Sequence, residues 1–191
     1  CIRSLYGHGA RPGYDTEWRM QKKFSSGGEL LDQGVHIIDL ATWFLGEFSS
    51  VFSQTRSLYW KKSNLEDNAF CQLYTEKNQV VDFHVSLTQW KNKFSFEIFG
   101  DKGYLSINGL GKSYGKDTLT FGTNVGQGMV PTEQVFEFPG DDISWRQEWR
   151  HFRTSVISGK QPLAGPKENL MVNKVLQGLY KSAKESKIIK I

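Results

Sequence analysis

Asp32, His36 and Asp39 are three residues able to move or accept protons, and they recur at helical spacing, with Trp43 one turn further on. On a wheel of about 100° per residue with Asp32 at zero, His36 falls at about 40°, Asp39 at about 340° and Trp43 at about 20°. Two carboxylates, an imidazole and an indole thus share one stripe of a helix predicted over 29–45. Such a stripe has three readings. It is a solvated polar face, although Trp43 suits water poorly and no Lys or Arg pairs with the acids at i,i+4. It is a metal site, since i, i+4 and i+7 can converge on one ion, although one histidine without a further ligand cluster makes a thin set. Or it is a general acid/base: an imidazole titrating near neutrality, steadied by one carboxylate, while the other accepts hydrogen bonds from substrate hydroxyls. The residues alone leave this choice open.

The helix that would carry the stripe has a core face opposite it, formed by Leu30, Leu31, Ile37, Ile38, Ala41, Phe44 and Leu45, with Gly34 where a neighbour can approach. Ser26 is a candidate N-cap and Gly46 a C-terminal stop. Upstream, Ile2, Leu5 and Tyr6 read as one strand, followed by a long loop running to Ser25-Ser26-Gly27-Gly28. That loop holds Arg11, Tyr14, Trp18 and Arg19, whose guanidinium forks and ring faces suit a polar or phosphorylated substrate; packing of the loop itself is the plainer use of the same residues.

Downstream, 49–138 turns to a period of two. Val81, Phe83, Val85 and Leu87 alternate with Asp82, His84, Ser86 and Thr88, and Phe94, Phe96 and Ile98 alternate with Ser95 and Glu97. Turns are predicted at Lys77-Asn78, Lys91-Asn92-Lys93 and Gly100-Asp101-Lys102-Gly103. Two helices follow, over 145–157 and 166–184. The order predicts an α+β fold: a predominantly antiparallel, open β-sheet with helices packed on one face, in a single domain over 1–191. The sheet face carrying Asp82, His84, Ser86, Thr88 and Trp90 stays open and is expected to pair into a homo-oligomer, dimer or tetramer. His84 reads as interface or surface; His8 and His151 receive no role.

Composition narrows the classes. With 191 residues and 14% aromatics the chain can bury a core, which excludes intrinsic disorder, and no stretch approaches the length of a membrane-spanning helix. The net charge of +4 is scattered, and rings and lysines separate onto opposite sides at Trp90-Lys91-Asn92-Lys93-Phe94, so nucleic acid is not an expected partner. Cys1 and Cys71 make neither a disulfide scaffold nor a zinc ribbon, and a reducing, cytoplasmic compartment is expected. The chain opens on Cys1 without a leader and reads as part of a longer protein. Gly109, Gly111 and Gly115 are spaced wrongly for a dinucleotide fingerprint, so no dinucleotide is expected to bind this chain by itself.

The segment Ser26-Gly27-Gly28-Glu29-Leu30-Leu31-Asp32-Gln33-Gly34-Val35-His36-Ile37-Ile38-Asp39 resembles the Gly-Gly-x-x-x-Asp-x-Gly-x-His-x-x-Asp block of the glucose-fructose oxidoreductase and inositol dehydrogenase (Gfo/Idh/MocA) family. The likeness runs on through Gly100-Asp101-Lys102-Gly103, the Gly109–Gly115 stretch and Phe138-Pro139-Gly140-Asp141-Asp142 to the last helix. It implies the family's C-terminal domain, of the dihydrodipicolinate-reductase-like fold, whose partner is a Rossmann domain binding NAD or NADP. The implied activity is oxidation or reduction of a sugar, nucleotide-sugar or cyclitol hydroxyl. His36 then matches the catalytic histidine, Asp32 the aspartate that assists it, and Asp39 a position that meets substrate hydroxyls. Ser26 departs from a third glycine, and the family's Glu-Lys-Pro lysine has no counterpart here. Two other functions are expected as alternatives: a binding or oligomerisation module without catalysis, and an NAD-assisted glycosidase of the same family.

Overall fold

The computed structural model describes residues 1–191 except Val125 and Gln127. Strand β1 (Ile2–Gly7) leads into two 3-10 turns, Tyr14–Thr16 and Trp18–Met20, and then a π-helical turn, Leu30–Gly34, that runs directly into α1 (Val35–Leu45). There follow β2 (Ser50–Arg56), β3 (Asn68–Tyr74), β4 (Val80–Ser86), β5 (Lys93–Gly100), β6 (Gly103–Asn108), β7 (Thr118–Thr123) and β8 (Thr132–Glu137). Helices α2 (Ser144–Ser158) and α3 (Pro166–Glu185) and the short strand β9 (Ile189–Lys190) close the chain.

The period-two pattern does what it predicts. Val81, Phe83 and Val85 are buried on the helix side of the sheet, with Ile2, Phe94 and Phe96 beside them, while Asp82 and His84 face the other way. Against them pack Leu30, Ile37, Ile38 and Ala41 from the π turn and α1, and Val172, Val175, Leu176 and Leu179 from α3. A smaller cluster of Tyr14, Met20, Trp60, Leu65 and Leu87 holds the long loop down. Helix α3 starts at Pro166, with Glu168 Oε2 accepting the Gly165 N–H at 2.9 Å. It lies close on β2 because Gly178 has no side chain: a Cβ there would stand 2.6 Å from Ile191 Cγ2 and 3.0 Å from Val51 Cγ2.

Strand order is β8-β7-β6-β5-β1-β4-β3-β2-β9 in one nine-stranded sheet. Every neighbouring pair is antiparallel except β1 with β4, which run parallel with Ile2 opposite Val81 and Tyr6 opposite Val85. The α+β architecture is therefore the one expected, with β1 at its centre and β9 added at one edge.

Four local expectations change. The helix is not α-helical from residue 29: Leu30–Gly34 is wound as a π turn, and α1 begins at Val35. Ser26 caps nothing with its side chain, whereas Gly46 ends α1 as expected, its N–H reaching Thr42 O at 2.8 Å with φ at 80°. Strand β4 stops at Ser86, which is covered, and Thr88 and Trp90 lie beyond the strand, Trp90 with φ at 56°, so of the five residues assigned to the open face only Asp82 and His84 stay open on it within β4. Finally, α2 does not pack on the sheet as expected of the helices; Ser155 alone among its residues is buried. No helix among the described residues is long and apolar enough to cross a membrane.

Candidate active site

The π turn is fixed from outside by a carboxylate. Glu66 Oε1 accepts the N–H groups of Gly28 at 3.0 Å and Leu30 at 3.3 Å and the hydroxyl of Tyr180 at 2.7 Å, while Glu66 O accepts the Glu29 N–H at 3.0 Å. A negative charge among free N–H groups at a helical start is favourable both as hydrogen bonding and against the helix dipole. The approach is tight enough to require the glycine pair. A Cβ at Gly28 would overlap the Glu66 backbone carbonyl, and one at Gly27 would overlap the Tyr180 hydroxyl.

From this mount the stripe points away from the core. Asp32 is half-buried, and His36, Asp39 and Trp43 are exposed. The wheel places Asp32 and His36 too simply, because a π turn carries more residues per turn than an α turn. Among the described residues, no hydrogen bond or ion pair joins His36 to Asp32 or Asp39. What lies beside His36 is Tyr6, at the end of β1, with ring centroids 6.2 Å apart. Tyr114 in turn meets Tyr6 edge-on at 5.2 Å.

Asp32 reaches further than its spacing to His36 suggests. Burial lifts the Tyr6, Tyr14 and Tyr114 phenols above their ordinary range, and the charge of Asp32 pushes all three the same way. Burial lowers the His8 imidazole, and Asp32 partly offsets it. Tyr6, His8, Glu29 and Tyr114 are therefore neighbours of the stripe that sequence reading missed. The available signal was positional: Tyr6-Gly7-His8 ends the strand that feeds the loop ahead of the helix. Tyr114 also lines a cleft of about 810 Å³ with Lys91, Asn92, Lys93, Asn108 and Lys116. A hollow of about 330 Å³ adjoins it through Gly115 and Lys116. His36 lines neither.

The loop residues separate. Tyr14 is 4% exposed and belongs to the small core cluster. Arg11 forks onto Glu17 at 2.8 and 2.9 Å and lies over the Tyr14 ring. Trp18 is exposed, with the Arg19 guanidinium 5.3 Å from its ring centroid. His84, on the open sheet face, stacks on Phe70 at 4.2 Å, and its Nε2 lies 2.9 Å from Asn68 Oδ1; burial lowers its imidazole below the ordinary range. His151 Nε2 accepts the Leu163 N–H at 3.0 Å.

For a dinucleotide, the described residues offer no fit. The strand-then-helix turn that cradles a pyrophosphate is replaced after β1 by the 3-10 loop, and Gly109, Gly111 and Gly115 lie between β6 and β7. No group of three or more His, Cys, Asp or Glu among the described residues is arranged to hold a metal.

Comparison with known proteins places this geometry. No curated protein matches the chain. Among solved structures, levoglucosan dehydrogenase in complex with NADH and levoglucosan is 18% identical with a TM-score of 0.84, over 100% of this chain and 58% of that one. The aldose-aldose oxidoreductase of Caulobacter crescentus, complexed with glycerol, is 18% identical with a TM-score of 0.80, over 100% and 55%. GenD2 from gentamicin A biosynthesis, in complex with NAD, is 22% identical with a TM-score of 0.78, over 100% and 54%. The chain spans a little over half the length of each, and identities this low establish the fold. The family model for the GFO/IDH/MocA C-terminal domain matches residues 1–106 of the 191. With more than half of its residues under that match, and with the fold of those enzymes throughout, the chain belongs to the Gfo/Idh/MocA family.

Proposed function

We propose that this chain is the substrate-binding and acid/base half of an NAD(P)-dependent oxidoreductase acting on a sugar, nucleotide-sugar or cyclitol hydroxyl. The observation that carries the reading is that the family's Asp-x-Gly-x-His-x-x-Asp block falls on an anchored turn and helix that leave His36 exposed, with Asp32 on the same outward side. The solved relatives named above, two of them with a nicotinamide dinucleotide, support it. In this reading the cofactor, NAD or NADP, is held by a Rossmann domain outside these 191 residues. Oxidation of a hydroxyl releases its proton, which His36 takes up, and reduction returns it. Asp32 steadies His36, and Asp39 accepts hydroxyl hydrogen bonds from the substrate. Arg11, Tyr14, Trp18 and Arg19 shape the loop over it, with Arg11, Trp18 and Arg19 as its exposed members.

A positioned base contributes about 10²- to 10⁴-fold to such a step. His36→Ala in the complete enzyme should lose turnover within that range, without loss of fold because the side chain is exposed. Undiminished turnover overturns the assignment. The 191-residue chain alone should bind no NAD(P) by calorimetry; tight binding places the cofactor site wrongly.

A second role is favoured by a separate observation. Phe70 is 45% exposed on the open sheet face, stacked on His84, and large exposed rings of this kind mark interfaces. We propose that this face pairs two copies of the chain, with Asp82 and His84 at its centre and without the Ser86, Thr88 and Trp90 contributions expected from sequence.

A further inference from the structure

Glu29 is 1% exposed, and neither of its carboxyl oxygens has a hydrogen-bond partner among the described residues. Its surroundings explain why it has none. Three other carboxyls act on it. Glu66 takes the N–H groups of Gly28 and Leu30 and the Tyr180 hydroxyl. Asp67 takes the N–H groups of Leu58, Tyr59 and Trp60 and the amide of Asn68. The third, Asp32, stands three residues on and half-buried at the outward side. The donors of this region are thus already committed, and a charged Glu29 has nothing to meet it.

We propose that Glu29 is a positioning residue for Asp32 and His36: an un-ionised carboxyl packed under the Leu30–Gly34 turn, whose ionisation opens that turn. The inference rests on the acid/base reading for its purpose and on burial and donor accounting for its substance. The groups that face Glu29 are Asp32 in its own turn, Glu66 and Asp67 ahead of β3, Tyr6 of β1, Tyr14 of the long loop and Tyr114 between β6 and β7. All six are acids, and no cation is among them. Burial first, and then the charges of Asp32, Glu66 and Asp67, raise the Glu29 carboxyl well above the usual carboxylate range. Opening the turn gives the ionised form water. The N–H groups of Leu31 and Asp32, which donate to Gly28 O at 3.1 and 3.0 Å, then come free, and Asp32 loses the backbone anchor that fixes its position.

The sign follows from linkage. The folded protein holds this proton where the unfolded chain, titrating at about 4.3, has lost it. Stability contributed by the un-ionised form is complete below that value and is lost as pH rises through the higher folded-state value.

The test uses the chain itself, without substrate or cofactor, so it fails independently of the enzymatic reading. Infrared spectroscopy should show a buried carboxyl that stays protonated above the pH at which ordinary carboxyls have ionised, and this band should vanish in Glu29→Gln. Hydrogen exchange at Leu31 and Asp32, corrected for the intrinsic rate and referred to α3, should accelerate at least tenfold as that band is lost with rising pH. In Glu29→Gln it should stay flat. Absence of the band in the wild type, or the same acceleration with rising pH in Glu29→Gln, overturns the proposal. If Glu29→Gln does not fold, the wild-type titration decides alone: band and protection must be lost together, and protection lost without the band rejects it.

Discussion

Tyr180 of α3 donates its hydroxyl to Glu66 Oε1 at 2.7 Å, joining the last helix to the carboxylate that holds the start of the π turn. Two segments 114 residues apart thereby determine where Asp32 and His36 stand. Tyr180→Phe removes the hydroxyl and leaves Glu66 with its two N–H donors. Urea unfolding should show a loss of about 1–3 kcal/mol, and an unchanged midpoint contradicts the anchor. Burial and then the Glu66 charge keep the phenol un-ionised above its ordinary range. The anchor's contribution is therefore whole below about pH 10 and declines only above it.

Gly28→Ala should be the more damaging change at the same place. Its methyl group overlaps a backbone carbonyl, which cannot rotate away as the Tyr180 hydroxyl can for Gly27→Ala. A loss of about 1–3 kcal/mol by denaturant titration is expected for Gly28→Ala, with a smaller one for Gly27→Ala. The reverse order would place the tight contact at the wrong glycine.

Asp67 gives the acid limb. Burial works to raise its carboxyl, and the N–H groups of Leu58, Tyr59 and Trp60 together with the Asn68 amide reverse this and hold it below the ordinary range. A depressed folded-state value means stability present above about pH 4 and lost as pH falls through that lower value. Thermal unfolding of Asp67→Ala between pH 3 and 7 should show a flattened acid slope and about 1–3 kcal/mol less stability at neutrality. A slope as steep as the wild type's assigns acid sensitivity to another group.

On the open face, Phe70→Glu should turn dimers into monomers in light scattering while leaving the fold intact, because Phe70 is exposed and its neighbours Gln72 and Asp82 are polar. A wild type that is monomeric at high concentration removes the pairing altogether.

Helix α2 carries Trp145, Trp149, Phe152 and Val156 at i, i+4, i+7 and i+11, all exposed. Trp149→Ser should reduce binding of an apolar dye to the isolated chain and change its stability by less than about 0.5 kcal/mol, as befits a surface position. A large destabilisation would mean that the stripe packs on its own chain.

Sequence carried the strands well because one side of the sheet is buried, so Val81, Phe83 and Val85 can face only one way. The block around Asp32, His36 and Asp39 was legible for the same reason, its core residues Leu30, Ile37, Ile38 and Ala41 being the ones that the helix buries. The rest depends on contacts distant in sequence. Glu66 and Tyr180 meet Gly28 through space, and nothing in their local spacing signals it. The π turn begins at the residue that this clamp holds, Leu30. Tyr6 and Tyr114 reach the site because β1 sits centrally, a placement that no hairpin pattern predicts. The expected packing of α2 on the sheet fails for another reason: an apolar stripe on a helix says that a face wants cover, not that this chain supplies it.

The parallel pairing of β1 with β4 also bears on the order of events when the chain folds. Its first strand lies between partners that begin about eighty and ninety residues later, so it has no ladder to join until β4 and β5 exist. The hairpins β3–β4 and β5–β6 can form locally, but the centre of the sheet closes only over long loops, and such topologies fold slowly. Residues 1–7, Ile2, Leu5 and Tyr6 among them, precede both partner strands in the chain and pair late, leaving an apolar strand with both edges free until then. Refolding yield should therefore fall with protein concentration more steeply than the stability of the finished sheet would suggest.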